Sequence, residues 1–127
     1  MRLFFVALLF LTLSACGASL GDRIDSKNLH VYYMDGVSAQ EAVDFATYWR
    51  DNGFVGDQKQ TIQLIRNEYK ELIVKLIEDK KFEQSRLSLD EQAMLSKLAR
   101  TLEKEVFTAT KVRVVPCDNT FRPLVKQ

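Results

Sequence analysis

Two copies of one short motif divide the sequence and limit the folds that it can adopt. Ser38–Glu41 and Ser88–Glu91 each place a serine three residues before a glutamate. In such a capping box the serine side chain accepts a hydrogen bond from a free N–H of the first helical turn, and the glutamate bonds back to the serine. The sequence therefore predicts two helices, the second starting fifty residues after the first.

The residues that follow each motif have the period of a helix with one buried face. Apolar side chains recur three and four positions apart, which makes a single stripe directed at a core. The stripe of the first helix is Ala42, Phe45, Ala46 and Trp49, and that of the second is Leu95, Leu98, Ala99, Leu102 and Val106. Asn52 and Gly53 predict the end of the first helix, because glycine readily adopts the left-handed conformation found there.

Strands are predicted on both sides of each helix. Leu29–Met34, Thr61–Ile65 and Lys111–Val115 are rich in β-branched or aromatic residues or alternate in polarity. Tyr69–Ile77 fits either a helical stripe or a strand, and its β-branched residues favour the strand. Pro116 is expected to limit further pairing after the last strand.

The resulting order, β-α-β-β-α-β over residues 29–116, resembles the ferredoxin-like split β-α-β sandwich. The resemblance implies an α+β domain in which both helices cover one face of a four-stranded antiparallel sheet. Residues 16–28, of which 17–28 are small and polar, are predicted to be a tether, and residues 29–127 the single folded domain.

The N-terminus has the features of a secretion signal. Arg2 precedes the apolar run Leu3–Leu13, which is too short to be a comfortable permanent membrane span. Leu13–Cys16 resembles the lipobox of bacterial lipoproteins. The resemblance implies cleavage before Cys16, a diacylglycerol on its sulfur, and a place in the bacterial envelope, with Gly17 favouring the outer membrane over the inner. An ordinary signal peptide with a cysteine near its end is the alternative.

Composition gives no support for a nucleic-acid partner, a bound metal or a phosphate-binding loop. Cleavage would leave 112 of 127 residues with 17 basic and 17 acidic side chains, so charge gives no reason to expect a nucleic acid. Cys117 would be the one remaining thiol, either buried as a small apolar side chain or joined to another chain. With one histidine, His30, and no phosphate-binding glycine loop, we predict no metal, no cofactor besides the lipid and no catalytic residue.

The predicted sandwich leaves the sheet face opposite the helices apolar. The candidate binding residues on that face are His30, Tyr32, Met34, Gln63, Ile73, Lys75 and Arg113, with Ile65, Ile77 and Val115 beside them. An apolar surface with a polar rim commonly marks an interaction site. The alternative is that the C-terminal residues, through Phe121, Leu124 and Val125, cover this face.

Three functions follow from these observations. The first is a membrane-anchored, non-catalytic domain that binds an envelope protein or itself through this face. The second is a peptidoglycan-binding module, because domains of the sporulation-related repeat type have the same order of elements. A small hydrolase using paired carboxylates is the third. The mature segment also resembles an uncharacterised bacterial envelope domain through Val31–Tyr33, Asn52–Phe54, Ile62–Leu64 and Val106–Phe107, and this resemblance implies no activity.

Overall fold

The computed structural model describes residues 20–34, 36–78 and 89–124. These ranges contain five strands and two helices. In chain order they are β1 (Asp22–Ser26), β2 (Leu29–Tyr33), α1 (Ala39–Asp51), β3 (Gln60–Arg66), β4 (Leu72–Ile77), α2 (Leu89–Glu105) and β5 (Val112–Cys117). The predicted α+β class is confirmed, and the ambiguous segment 69–77 contains strand β4.

The five strands form one mixed sheet in the order β1-β2-β3-β4-β5. β2 runs parallel to β3 and β4 parallel to β5, whereas the β1–β2 and β3–β4 pairs are antiparallel. Each parallel pair is connected by a helix, as a parallel crossover requires. The predicted ferredoxin-like antiparallel sheet is therefore wrong, because the two strands of each β-α-β unit are direct neighbours and no strand lies between them.

β1 occupies part of the segment that the sequence analysis treated as a tether. It pairs with β2 from Asp22–Tyr33 to Ser26–Leu29 across a turn at Lys27 and Asn28. Its residues are mostly exposed, and Ile24 alone packs against the core. The folded part therefore begins before Leu29. Cys16 and the signal segment lie outside the described residues.

α1 begins and ends as its sequence predicts. The Ser38 side chain accepts a hydrogen bond from the Glu41 backbone, and the Glu41 carboxylate accepts one from the Ser38 backbone, which completes the capping box. Gly53 has a positive φ of 77° just beyond the helix, and Phe54 then stacks on Trp49 with ring centroids 4.4 Å apart. For the second helix, Ser88 of the predicted capping box lies outside the described residues.

A bidentate ion pair attaches the start of α1 to the sheet. Arg66, at the end of β3, donates to both carboxylate oxygens of Glu41 at 2.9 and 2.7 Å and also to the Gly36 carbonyl. These hydrogen bonds from Arg66 lower the pKa of Glu41 to about 2. Glu41 thus caps its own helix and joins that helix to β3.

Both helices pack on the same face of the sheet and share one core. Ala42, Phe45, Ala46 and Trp49 of α1 are buried, as are Ala99 and Leu102 of α2. Their counterparts on the sheet are buried residues of β2 to β5, and Phe107 stacks on Phe45 with ring centroids 6.1 Å apart. The predicted helical stripes therefore face the core. Within the described ranges, neither helix is both long and apolar enough to cross a membrane.

β5 is longer than predicted, because Pro116 does not end it. Pro116 stands in register with Leu76, and Cys117 with Ile77. A proline has no N–H to give to a ladder, and an edge strand tolerates that loss on its outer side. β5 is such an edge strand in the described sheet.

Candidate functional site

The sheet face opposite the helices, called here the open face, carries all seven predicted binding residues. Alternation along the strands places His30, Tyr32, Gln63, Ile73, Lys75 and Arg113 there, since their neighbours in sequence enter the core. Met34 follows β2 and joins them, because the Gln63 amide nitrogen lies 3.4 Å from its sulfur. The structure therefore brings the predicted set onto one face, although not into one accessible site.

The residues after β5 cover the centre of the open face. This C-terminal strap, Asp118–Leu124, buries Phe121 to 4% exposure and sets its ring edge-on to Tyr32, with centroids 6.2 Å apart. The Lys75 ammonium group donates to the Phe121 carbonyl at 3.2 Å. The C-terminal residues predicted to cover this face were Phe121, Leu124 and Val125. Phe121 does cover it, Leu124 is half-buried, and Val125 lies outside the described residues.

Hydrogen bonds within the strap fix its shape. The Asp118 carboxylate accepts from the backbone N–H groups of Thr120 and Arg122, at 2.8 and 3.0 Å. Leu124 donates to the Pro116 carbonyl, and Pro123 forms a bridge with Cys117. The strap thereby covers the outer edge of β5 as well as the adjoining part of the face.

Beneath the strap, the apolar residues of the open face form a second, small core. Ile73, Val115 and Cys117 are 8%, 4% and 0% exposed, with Ile65 packed against them. Burial raises the pKa of the Cys117 thiol to about 11, so this cysteine is a buried small side chain rather than a reactive one. The centre of the face is therefore interior, and Ile73 is not available to a partner.

Gln63 is also withdrawn from the surface. It is only 4% exposed, and its amide nitrogen donates to the Leu20 carbonyl at 3.2 Å. Gly21 follows with φ of 91°, and a Cβ at that position would lie 2.3 Å from the Tyr33 carbonyl oxygen. The glycine thus lets the chain before β1 pass close to β2 and contact Gln63.

A polar cluster lies where β1 and β2 meet on the open face, and its two β1 residues, Arg23 and Asp25, are exposed. The Oδ1 atom of Asp25 lies 2.8 Å from the Nε atom of Arg23 and 2.6 Å from the Nδ1 atom of His30. Arg23 also lies 5.9 Å from the ring centroid of Tyr32. We call Arg23, Asp25, His30 and Tyr32 the rim cluster. Arg23 and Asp25 were not predicted as site residues, because the sequence around them resembles a polar tether.

The rim cluster has part of the chemistry of an acid–base site. A carboxylate on Nδ1 fixes the orientation of an imidazole, as it does in hydrolytic triads. In the described part of the chain, however, His30 is hydrogen-bonded to this carboxylate and to no hydroxyl or thiol. The same described residues contain no group of three side chains able to hold a metal ion.

A cavity of about 410 Å³ lies at the end of the sheet where β3 begins. The loop between α1 and β3 lines it with Phe54, Asp57 and Lys59, and Thr61 and Ile77 of the sheet also line it. None of the predicted binding residues lines this cavity. Its charged groups have opposite signs and belong to one exposed loop, so they do not define one class of ligand.

The fold and the open face define a small two-layer α+β domain with a mixed sheet and a C-terminal strap. Residues 23–127 match the model of a family N-terminal domain, and that family is uncharacterised. The chain belongs to this family. No curated protein matches the chain, and no solved structure does. The matched range includes β1, in agreement with a folded domain that begins before Leu29.

Proposed function

We propose that the chain is a bacterial envelope lipoprotein, anchored by lipid on Cys16, whose domain binds a protein partner without catalysing a reaction. The anchor rests on the likeness of Leu13–Cys16 to a lipobox after the apolar run Leu3–Leu13. Glycine at position 17 supports delivery to the outer membrane. Diacylation by itself is sufficient for stable attachment, because two acyl chains hold a protein where one does not.

The observation that carries the binding proposal is the rim cluster. It joins an aromatic ring, a guanidinium, a carboxylate and an imidazole on one side of the sheet. The strap meets it at Tyr32 through Phe121, while Arg23 and Asp25 are exposed. Arginine and tyrosine are enriched among the residues that contribute most to protein–protein binding. Met34, which is 37% exposed, extends the same surface with a flexible apolar side chain. The proposed binding surface is therefore this end of the open face, without its buried centre.

Two alternatives have less support from the residues that carry them. A peptidoglycan-binding function was suggested by an order of elements shared with the sporulation-related repeats. The mixed sheet weakens that likeness, because the shared order implied an antiparallel sheet. Tyr32 and Gln63 are the candidate residues for binding a sugar on the sheet, and Gln63 is buried beside Leu20. The hydrolase was predicted from paired carboxylates, whereas the rim cluster holds a single carboxylate, that of Asp25, which is hydrogen-bonded to His30.

The test is photo-crosslinking in living cells of the native organism. A benzoylphenylalanine at Tyr32 retains an aromatic ring in the proposed surface, and the same group at Met94 is a matched control, because that residue is 62% exposed on α2. Irradiation should give a discrete protein adduct from position 32 and none from position 94.

Three other outcomes would contradict the proposal. Absence of any adduct at position 32 would remove the partner surface. Adducts of equal yield at both positions would show contact without selectivity. An adduct at position 32 that a muramidase digests would show that the ligand is peptidoglycan rather than protein.

A further inference from the structure

The two edges of the sheet differ in how they are protected. At β5 the strap covers the edge through the Cys117–Pro123 bridge and the bond from Leu124 to Pro116. At the other edge, β1 pairs with β2 alone among the described strands. An uncovered edge strand presents unpaired backbone groups that can pair with another strand.

The turn after β1 determines which backbone groups point outward. Ser26 and Leu29 close a two-residue turn, so they face each other as a hydrogen-bonded pair. Backbone groups alternate in direction along an antiparallel pair. Ile24 therefore bonds inward to β2, as Ser26 does, while the N–H and C=O groups of Arg23 and Asp25 point away from the sheet.

The side chains of β1 select one register for a second copy of the same strand. In an antiparallel pair centred on Ile24, each Arg23 lies opposite the Asp25 of the other copy, and the outward backbone groups of both residues meet. If the register shifts by two residues, then, depending on the direction of the shift, Arg23 lies opposite the Arg23 of the other copy or Asp25 lies opposite the other copy's Asp25. A parallel pair in register also opposes like charges. Opposite charges across strands stabilise a pair and like charges destabilise it.

We propose that the β1 edge is a self-association surface, at which two copies of this chain pair antiparallel about Ile24. The two five-stranded sheets then form one continuous sheet of ten strands. The two symmetric Arg23–Asp25 contacts lie on the open face, and the Ile24 side chains meet on the helix side, where each already packs on its own core. Arg23 and Asp25 belong to the rim cluster as well, but the pairing of two edges requires no partner of another kind, so this proposal does not rest on the proposed function.

A charge-reversal pair tests the register directly. Arg23→Glu gives each copy two acidic residues at the edge, and Asp25→Arg gives two basic ones. Each variant alone should raise the dimer dissociation constant by about tenfold or more, because both cross-strand contacts become repulsive. An equimolar mixture should restore dimers, and these should contain one copy of each variant.

Native mass spectrometry of the full chain, released from detergent micelles, distinguishes the two variants and their mixed dimer by mass. Arg100→Glu is the control, since it makes the same change of charge at an exposed position on α2, and it should leave the dimer unchanged. The mixture also tests whether the variants fold, because two misfolded variants could not form a mixed dimer.

The proposal is overturned if the wild-type chain is monomeric throughout the concentration range, if either single variant dimerises as well as the wild type, or if the mixture gives no mixed dimer. A failure here would leave the crosslink at Tyr32 unaffected. An absent crosslink at position 32 of a chain with native Arg23 and Asp25, together with intact wild-type and mixed dimers, would contradict only the partner surface.

Discussion

At the scale of single residues, Glu41 shows how much of the structure depends on one side chain. The sequence predicted its role in the capping box from its spacing to Ser38. It did not predict the contact with Arg66, which is 25 residues away and meets Glu41 only because β3 lies beside the start of α1. Local spacing therefore predicted the helix start, whereas the ion pair depends on the tertiary fold.

The Glu41–Arg66 pair predicts a defined dependence of stability on pH. The pKa of Glu41 falls from 4.5 to about 2 on folding, so the charged carboxylate stabilises the folded state fully above pH 4.5. That contribution is lost as the pH falls from 4.5 through 2, because over this range the unfolded state binds a proton at Glu41 that the folded state does not. We expect Glu41→Gln to lower the free energy of unfolding by about 2 kcal/mol at pH 7.

Denaturant titrations at pH 7, 5 and 3 measure this effect. The difference between the wild type and Glu41→Gln should be constant from pH 7 to 5 and smaller at pH 3. Glu105→Gln, at an exposed position near the end of α2, should differ little from the wild type. A difference that is as large at pH 3 as at pH 7 would show that the charge of Glu41 is not its source.

At the scale of elements, the sequence predicted those with a buried face and missed the one without. Both helices and strands β2 to β5 have apolar residues at the expected period. β1, with the sequence Asp-Arg-Ile-Asp-Ser, has one apolar residue and resembles a polar linker. An edge strand with little burial leaves almost no periodic signal, because its stability comes from backbone pairing with β2. The rim cluster was half missed for the same reason.

The strap is the element whose importance a single substitution can measure. Phe121 is 4% exposed and sits between Tyr32 and Lys75. We expect Phe121→Ala to lower the free energy of unfolding by about 3 kcal/mol, since a buried aromatic ring is removed. Loss of this anchor should also loosen the strap, which is bridged to Cys117 through Pro123, and so expose that cysteine, whose pKa is raised from 9.0 to about 11 by burial. A return to the ordinary pKa would increase the thiolate fraction, and hence alkylation, by up to about 100-fold.

Mass spectrometry of the peptide that contains Cys117, after timed exposure to iodoacetamide, gives the alkylation rate of this thiol separately from Cys16. Arg122→Ala is the matched control, because the side chain is exposed and its backbone N–H remains to bond with Asp118. Equal alkylation rates in Phe121→Ala and Arg122→Ala would mean that the strap does not protect the centre of the face.

At the scale of the whole molecule, the order of elements allowed two topologies. Both topologies contain two successive β-α-β units. In one topology the two strands of a unit are neighbours in the sheet, and in the other a strand of the other unit lies between them. Hydrophobic periodicity identifies which face of a strand is buried but not which strand lies beside it. The parallel contact of Val31 with Ile62 could therefore not be predicted from the alternation of either strand.

The proposed function also belongs to this scale, because it needs the folded domain to be held at a membrane. The most direct measurement of that claim is metabolic labelling with a palmitate analogue, followed by separation of membrane and soluble fractions. We expect the wild-type chain to carry the label, to lose its first fifteen residues and to sediment with membranes. Cys16→Ser removes the thiol that accepts the lipid, so it should remain unlabelled and uncleaved or be degraded. An unlabelled wild-type chain, together with a Cys16→Ser variant that matures normally into the soluble fraction, would contradict the account.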